Sequence, residues 1–410
     1  MTVVSQDTSS RLASSRFQLS PHAMALYAVI TAITFSASGG APTPLYHHYQ
    51  DALALTPGML TVIFASYVIS LLIALLTVGS LSDYIGRRPV ILAALLLNAA
   101  AMVAFIEADS AGLLTAARVI QGFANGAALT TLGATILDAN RAQGPLLNSI
   151  TGFIGLAVGV LGASALVAFA PAPTQLIYAV LLVLSLVEAV LLLLMPETAV
   201  RKPGALASLR PDIRVPLQAR LMLVQVTPVN IAAWALGGFY FSLMPSLIRV
   251  ATGLTSPFVG GAIVAALPFA GTLAVLVMRK QRAGRMLGVG TPVFAVGVIV
   301  TLAGVHEHLF PLMLLGTLVA GFGFGSAFSG IVRAVMPLAA PNERAGLLSA
   351  FYIESYLAFS LPAIAIGIFS PVLGLSLSTY IYGTVIVLLA LTSLIVLRIA
   401  PMALPVTRRF

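Results

Sequence analysis

Apolar stretches of roughly twenty residues recur along the whole of this chain, separated by short polar interruptions. At ~1.5 Å of rise per helical residue, each is long enough to cross ~30 Å of hydrocarbon. Lipid offers no partner to a backbone amide, so each stretch must close its hydrogen bonds internally as a helix. Runs this long and uninterrupted are unlike the alternating strands of a membrane barrel. Charged side chains make up 8% of the 410 residues, against about a quarter in soluble domains, and mean hydropathy is +1.05. The chain therefore reads as an all-α membrane protein with twelve transmembrane helices at 22–46, 57–81, 89–107, 111–137, 145–169, 173–195, 219–248, 256–278, 286–305, 309–335, 345–369 and 374–398.

Folded over these spans, the 21 basic residues fall on one face, except Arg249 on the other and Arg118 inside a span. The positive-inside rule then puts both termini in the cytoplasm. The net charge of +9 reflects that topology and calls for no nucleic acid, although a basic stripe can meet anionic membrane lipid. Residues 1–21 hold no apolar stretch ahead of a cleavage site, so no removable signal peptide is expected. The sequence has no cysteine, which excludes disulfide and thiolate chemistry. With two lysines only, Lys202 and Lys280, a GxxxxGK[ST] phosphate loop is absent. Active transport would draw on an ion gradient. No Ser-His-Asp or HExxH pattern supports an enzyme.

The longest polar connector, 196–218, reads as a cytoplasmic linker between halves at 22–195 and 219–398, with a cytoplasmic segment at 1–21 and a tail at 399–410. Gly86-Arg87 recurs as Gly284-Arg285 at an offset of 198, and GFANGAA from Gly122 as GFGFGSA from Gly321 at 199. LLNS at Leu146 is echoed by LLSA at Leu347, offset 201. Three matches near one offset indicate duplication. Parallel repeats about an axis along the membrane normal are an arrangement used for alternating access.

GSLSDYIGRRP, Gly79 to Pro89, packs one acid and two arginines into the turn between two spans. It resembles the loop between helices two and three of the major facilitator superfamily, G-x-L-a-D-r-x-G-r-R/K, matching at Gly79, Leu81, Asp83, Gly86, Arg87 and Arg88. Arg118, Gln121, Gly122 and Gly126 are similar to that superfamily's fourth-helix pattern R-x-x-q-G-x-x-x-G. Pro196, Glu197 and Thr198 resemble the Pro-Glu-Thr that commonly ends its sixth helix. The resemblance covers essentially the whole chain and is greatest to bacterial twelve-span drug and metabolite proton antiporters. It implies two pseudo-symmetric six-helix halves in a bacterial-type inner membrane, a monomer, a small organic substrate, protons, and no cofactor. The superfamily's antiporter signature on helix five includes a Gly-Pro pair that this chain lacks. Instead Gly152, Gly155, Gly159 and Gly162 share an arc of about 80°, a smooth face that also suits plain close packing of two helices.

Several residues are candidates for the working parts. Asp83 at a helix end suggests a gate that caps or bridges the cytoplasmic interface of the halves, with Arg87 and Arg88 holding the turn. The alternative is topological anchoring by charge alone. Arg118 inside a span carries a cost of about 2.5 to well over 10 kcal/mol and must be compensated. Gln121 and Asn125 share its helical stripe. In the resembling family this helix lines the central cavity and its arginine serves a substrate anion or the proton site. Carbonyls near the periplasmic end could equally satisfy it. Two acids lie well inside spans, Glu188 and Glu354. Glu354 is 11 residues past Glu343, or ~16 Å into the bilayer. An acid among apolar helical neighbours suits a proton carrier, though a structural, protonated acid fits too. Glu188 sits nearer one face and suits a structural role or a second proton site.

Aromatics concentrate on helices seven and eleven, where Trp234, Tyr240 and Tyr356 are candidate cavity residues able to stack on amphipathic solutes. GGAPTPLYHHY from Gly39 disturbs the first helix and would put Tyr46, His47, His48 and Tyr49 at the periplasmic mouth. His47, His48, His306 and His308 have no carboxylate at a ligand spacing, so no metal site is assigned. The leading function is proton-coupled efflux of small amphipathic organic compounds. Uptake of a small organic anion centred on Arg118 is the alternative, and a non-transporting receptor or scaffold is the alternative of another class.

Overall fold

A computed structural model describes residues 21–399. The expected segments 1–21 and 399–410 therefore lie almost wholly outside the described residues. Twelve helices of 17 to 30 residues dominate the described chain, and no strand is found among the described residues. We label them α1 (Pro21–Gly40), α2 (Pro57–Val78), α3 (Arg87–Ile106), α4 (Ala111–Ala139), α5 (Gly144–Phe169), α6 (Leu176–Leu192), α7 (Leu217–Ser242), α8 (Pro257–Met278), α9 (Ala283–His306), α10 (Phe310–Val335), α11 (Arg344–Leu373) and α12 (Leu375–Ile399). Ten of the described helices meet the length and hydropathy of a membrane span; α4 and the 17-residue α6 are not among them. α4 falls short because it carries Arg118, Gln121 and Asn125 inside its apolar length.

The helix starts follow from sequence. Thr56 accepts from the Met59 amide at 3.2 Å and precedes Pro57 at the first turn of α2, and Ser110 accepts from the Leu113 amide at 3.3 Å to cap α4. α3 is capped from afar. Glu197, in the turn after α6, accepts from the amides of Arg87 (2.8 Å) and Arg88 (3.1 Å), placing a carboxylate on the positive end of the helix. Gly86 enters α3 at φ +102°, and a Cβ there would strike that carboxylate.

Two helices stop six residues short of their expected ends. Hydropathy runs on to 46 and 248, whereas α1 ends at Gly40 and α7 at Ser242. Each is followed by a short helix, Tyr46–Leu53 and Met244–Thr252. Proline is the cause: Pro42 and Pro44 follow α1, and Pro245 opens the second short helix. Having no N–H, Pro245 leaves the Phe241 carbonyl without its helical donor, and Thr43 of the other half donates to it at 3.0 Å. The break in α7 thus supplies a bond between the halves.

The duplicated glycines mark equivalent crossings. A Cβ on Gly122 or Gly126 of α4 would meet the carbonyls of Tyr67 or Leu71 on α2, and one on Gly321 or Gly325 of α10 would meet those of Leu267 or Gly271 on α8. Between halves, α5 packs on α8 where Ser164 fills the space beside Gly261, and α2 packs on α11 where Thr61 abuts Gly367. The α5 glycines divide: Gly155 and Gly159 press on α1, while Gly152 and Gly162 have no neighbour at their Cβ positions.

Candidate functional site

A cavity of about 240 Å³ lies between the halves, walled by residues of α1, α2, α4 and α5 on one side and α7, α8, α10 and α11 on the other. It has no charged lining residue. Nine of its twenty lining residues are aromatic, seven of them from the second half: Trp234, Phe241, Phe324, Phe328, Tyr352, Tyr356 and Phe359. Trp234 is their hub, with ring centroids 5.1 Å from Tyr356, 5.9 Å from Phe359 and 6.2 Å from Phe328. The first half contributes Tyr67, Phe153 and all four of the non-aromatic polar lining residues, Ser36, Asn125, Asn148 and Ser149.

A vestibule of about 480 Å³ shares Ser36, Asn148, Gly152 and Tyr352 with this cavity and extends to Gly79, Asp83, Arg87, Arg210 and Asp212. The cavity is therefore approached from the face that carries the basic loops. At the other face the halves meet through Thr43 and Phe241 and through Ser164 and Gly261.

Of the expected cavity residues, Asn125, Trp234 and Tyr356 line the wall. Tyr240 does not. It lies one residue, about 100° of helical rotation, from the lining Phe241, is 1% exposed, and shares a 2.7 Å hydroxyl bond with Thr317 of α10. Arg118 and Gln121 stand behind the wall. The Arg118 guanidinium is 1% exposed and donates through Nη1 to Gln121 Oε1 (2.6 Å) and the Gly39 carbonyl (3.3 Å). Gln121 donates to the Ser38 carbonyl and hydroxyl, Ser38 to Asn98, and Asn98 to Ser185. The bend at the end of α1 thus provides the carbonyl that compensates the buried arginine.

Glu354 faces α7: Oε1 accepts from Asn230 Nδ2 (2.8 Å) and Oε2 from Thr227 Oγ1 (2.9 Å). It lies two residues from Tyr356, and Asn230 lies one turn from Trp234, so the acid is tied to the helices that carry the aromatic wall. Glu188 is 4% exposed between α6 and α1, accepting from Thr34 Oγ1 at 2.6 Å, away from the cavity.

The loop candidates gather within the first half. Asp83 pairs with Arg87 at 2.5 Å, and Arg87 also reaches Asp138 (3.2 Å) and the Ser82 hydroxyl (2.7 Å). Arg88 donates to the Leu193 carbonyl, at 3.0 Å. Among the described residues, Asp83 makes no ion pair with the second half. The face between the halves is the open vestibule there. The linker binds to both halves instead, through Lys202 N to the Tyr84 carbonyl (2.9 Å) and Arg214 N to the Gly346 carbonyl (3.3 Å). Tyr46 and Tyr49 are buried rather than at a mouth; Tyr49 donates to Tyr178 at 3.0 Å. Sequence reasoning missed Tyr67, Phe153, Phe324 and Phe328. Phe324 lies inside the repeated glycine motif of α10 and Phe328 directly after it, and that motif was the available signal.

Comparison with known proteins gives three findings. The sequence model of the Major Facilitator Superfamily matches residues 27–352. Multidrug resistance protein MdtM of Escherichia coli O157:H7 is 27% identical over 272 residues, 62% of this chain and 64% of that protein, and MdtM of Escherichia coli strain K12 gives the same figures. The match spans less than two thirds of the length of these relatives. Among solved structures, the POT family transporter PepTSo has a TM-score of 0.73 at 11% identity, covering 92% of this chain and 98% of its own. The xylose transporter XylE from E. coli, in an inward open conformation, has a TM-score of 0.73 at 16% identity, covering 91% and 95%. Identities this low speak for the shared fold alone.

Proposed function

This chain belongs to the Major Facilitator Superfamily, and within it we propose a secondary active transporter that works by alternating access and exports small amphipathic organic compounds in exchange for protons. The observation that carries the reading is the cavity itself: an uncharged space between the halves with seven aromatic residues among the ten that line it from the second half. Rings of this kind hold flat, apolar or weakly cationic solutes by stacking and cation–π attraction without demanding one shape. The resemblance to a multidrug resistance protein points the same way.

With the basic loops cytoplasmic, the vestibule opens to the cytoplasm and loads compounds from inside the cell. The protein then sits in the inner (plasma) membrane with both termini cytoplasmic, as a monomer, its exposed Ile381, Val385 and Leu388 facing lipid. Glu354 is the proton site we favour. Its two oxygens each accept one bond from α7, and a proton on either removes an acceptor and rearranges the α7–α11 contact. Trp234 and Tyr356 ride on those helices, so protonation and occupancy of the cavity are mechanically linked. Glu188, outside the cavity and bonded to α1, serves as a second proton site or as a brace between α6 and α1. Asp83, Gly79, Gly86, Arg87 and Arg88 form a gate that is open here and meets the second half when the vestibule closes.

Growth of a pump-deficient bacterium expressing this chain, against a panel of toxic amphipathic compounds, tests the proposal. Resistance that Glu354→Gln abolishes supports it. Sensitisation by the wild-type chain would replace export with uptake.

A further inference from the structure

We propose that Tyr67 is a charge-selectivity shutter: its ring screens Arg118 from the cavity, so that the cavity turns away anionic compounds that a bare arginine would draw in. The inference rests on the cavity being the substrate site and names the residue that sets its charge preference.

Three observations converge on Tyr67. Arg118 is fully buried, its Nε has no hydrogen-bond partner, and no ion pair among the described residues includes it. A guanidinium whose hydrogen bonds go to neutral groups, the Gly39 carbonyl and the Gln121 amide oxygen among them, keeps its net charge, and in a low-dielectric interior that charge acts over several ångströms. The Tyr67 ring covers this group, with its centroid 4.3 Å from the Arg118 Cζ. The same tyrosine lines the cavity and Arg118 does not. One ring therefore has the cation on one side and the substrate space beside it, and its π face takes up part of the positive field. The shutter is also held in place. The Tyr67 hydroxyl fills the space where a Cβ on Gly39 would stand, and the Tyr67 backbone abuts Gly122 of α4.

Trp234 is the one tryptophan in the chain and lines the cavity, so its fluorescence reports occupancy directly. The full-length protein in lipid nanodiscs is titrated with benzamide, benzamidine and benzoate, three probes of similar shape that differ in charge. The wild type is expected to respond to benzamide and benzamidine and only weakly to benzoate. In Tyr67→Ala the ratio of benzoate to benzamide affinity should rise by about tenfold or more, ~1.4 kcal/mol, because loss of stacking on the ring lowers both alike and only the anion gains from the exposed arginine. Tyr67→Phe, which keeps the ring, should match the wild type, and adding Arg118→Gln to Tyr67→Ala should remove the gain. Tyr67→Leu serves as a second variant that fills more of the vacated space. An unchanged ratio of benzoate to benzamide affinity in a variant that still binds benzamide overturns the shutter, as does equal tightening of all three probes. Loss of benzamide binding in both Tyr67→Ala and Tyr67→Leu would make the ring a packing element and overturn it as well. Silence of every probe in the wild type would instead sink the reading of the cavity as the substrate site, and the shutter with it.

Discussion

In the first half, Gly122 and Gly126 bring α4 against α2; in the second, Gly321 and Gly325 bring α10 against α8, 199 residues further on in each case. α1 and α7 both break at proline and continue as short helices. The side chains that face the cavity or line the loops do not follow suit. The first half supplies serine and asparagine, the buried Arg118 and an ionic loop, whereas the second supplies rings, the acid Glu354 and a loop in which Arg285 reaches the neutral Gln281 at 3.2 Å. Backbone approach is fixed by glycine and proline and survives duplication, because any larger residue collides at the crossing. Lining chemistry is free to diverge, because a side chain facing a cavity collides with nothing.

That contrast yields paired predictions. The largest effect is expected where the halves agree: Gly122→Val and Gly321→Val should each destabilise by about 3 kcal/mol through overpacking, read as lost monodisperse protein on size exclusion. A variant of one half that is tolerated while the other is not would break the equivalence. Where the halves differ in their loops, Arg87→Ala should cost about 2 kcal/mol, below the figure for a fully buried pair because Asp83 is half exposed. Arg285→Ala should cost ~0.5 kcal/mol or less, and thermal melting compares the two. At the cavity, Trp234→Ala should weaken binding of an amphipathic compound by about tenfold, ~1.4 kcal/mol, measured by equilibrium dialysis with labelled compound because the fluorophore is lost. Asn125→Ala and Asn148→Ala should weaken it by only about threefold each, the net worth of one hydrogen bond. Equal losses on the two sides would undo the assignment of affinity to the aromatic wall.

The membrane fold was legible because span length and hydropathy are set by the bilayer, and the duplication because glycine motifs recur at fixed offsets. The ends of α1 and α7 were not, since hydropathy continues through a proline break even though Pro42, Pro44 and Pro245 stand in plain view. At the site, Trp234 and Tyr356 were legible as aromatics concentrated on two helices, and Asn125 as a polar residue on the stripe of Arg118. Tyr240 was misplaced by one residue of helical phase, which composition does not fix. Tyr67 carries no pattern of its own: a lone tyrosine in an apolar helix gains meaning only from Arg118, which another helix brings to it. The same holds for Glu354, whose partners Thr227 and Asn230 are more than a hundred residues away in sequence.

Coupling of export to protons is most directly tested in everted membrane vesicles that maintain an acidic interior, with a compound known from Trp234 fluorescence to occupy the cavity. Addition of that compound should release the pH gradient in vesicles holding the wild-type chain and leave it intact with Glu354→Gln. A gradient that is unmoved by a compound shown to be bound, or that is released equally by the Glu354→Gln protein, would contradict the account.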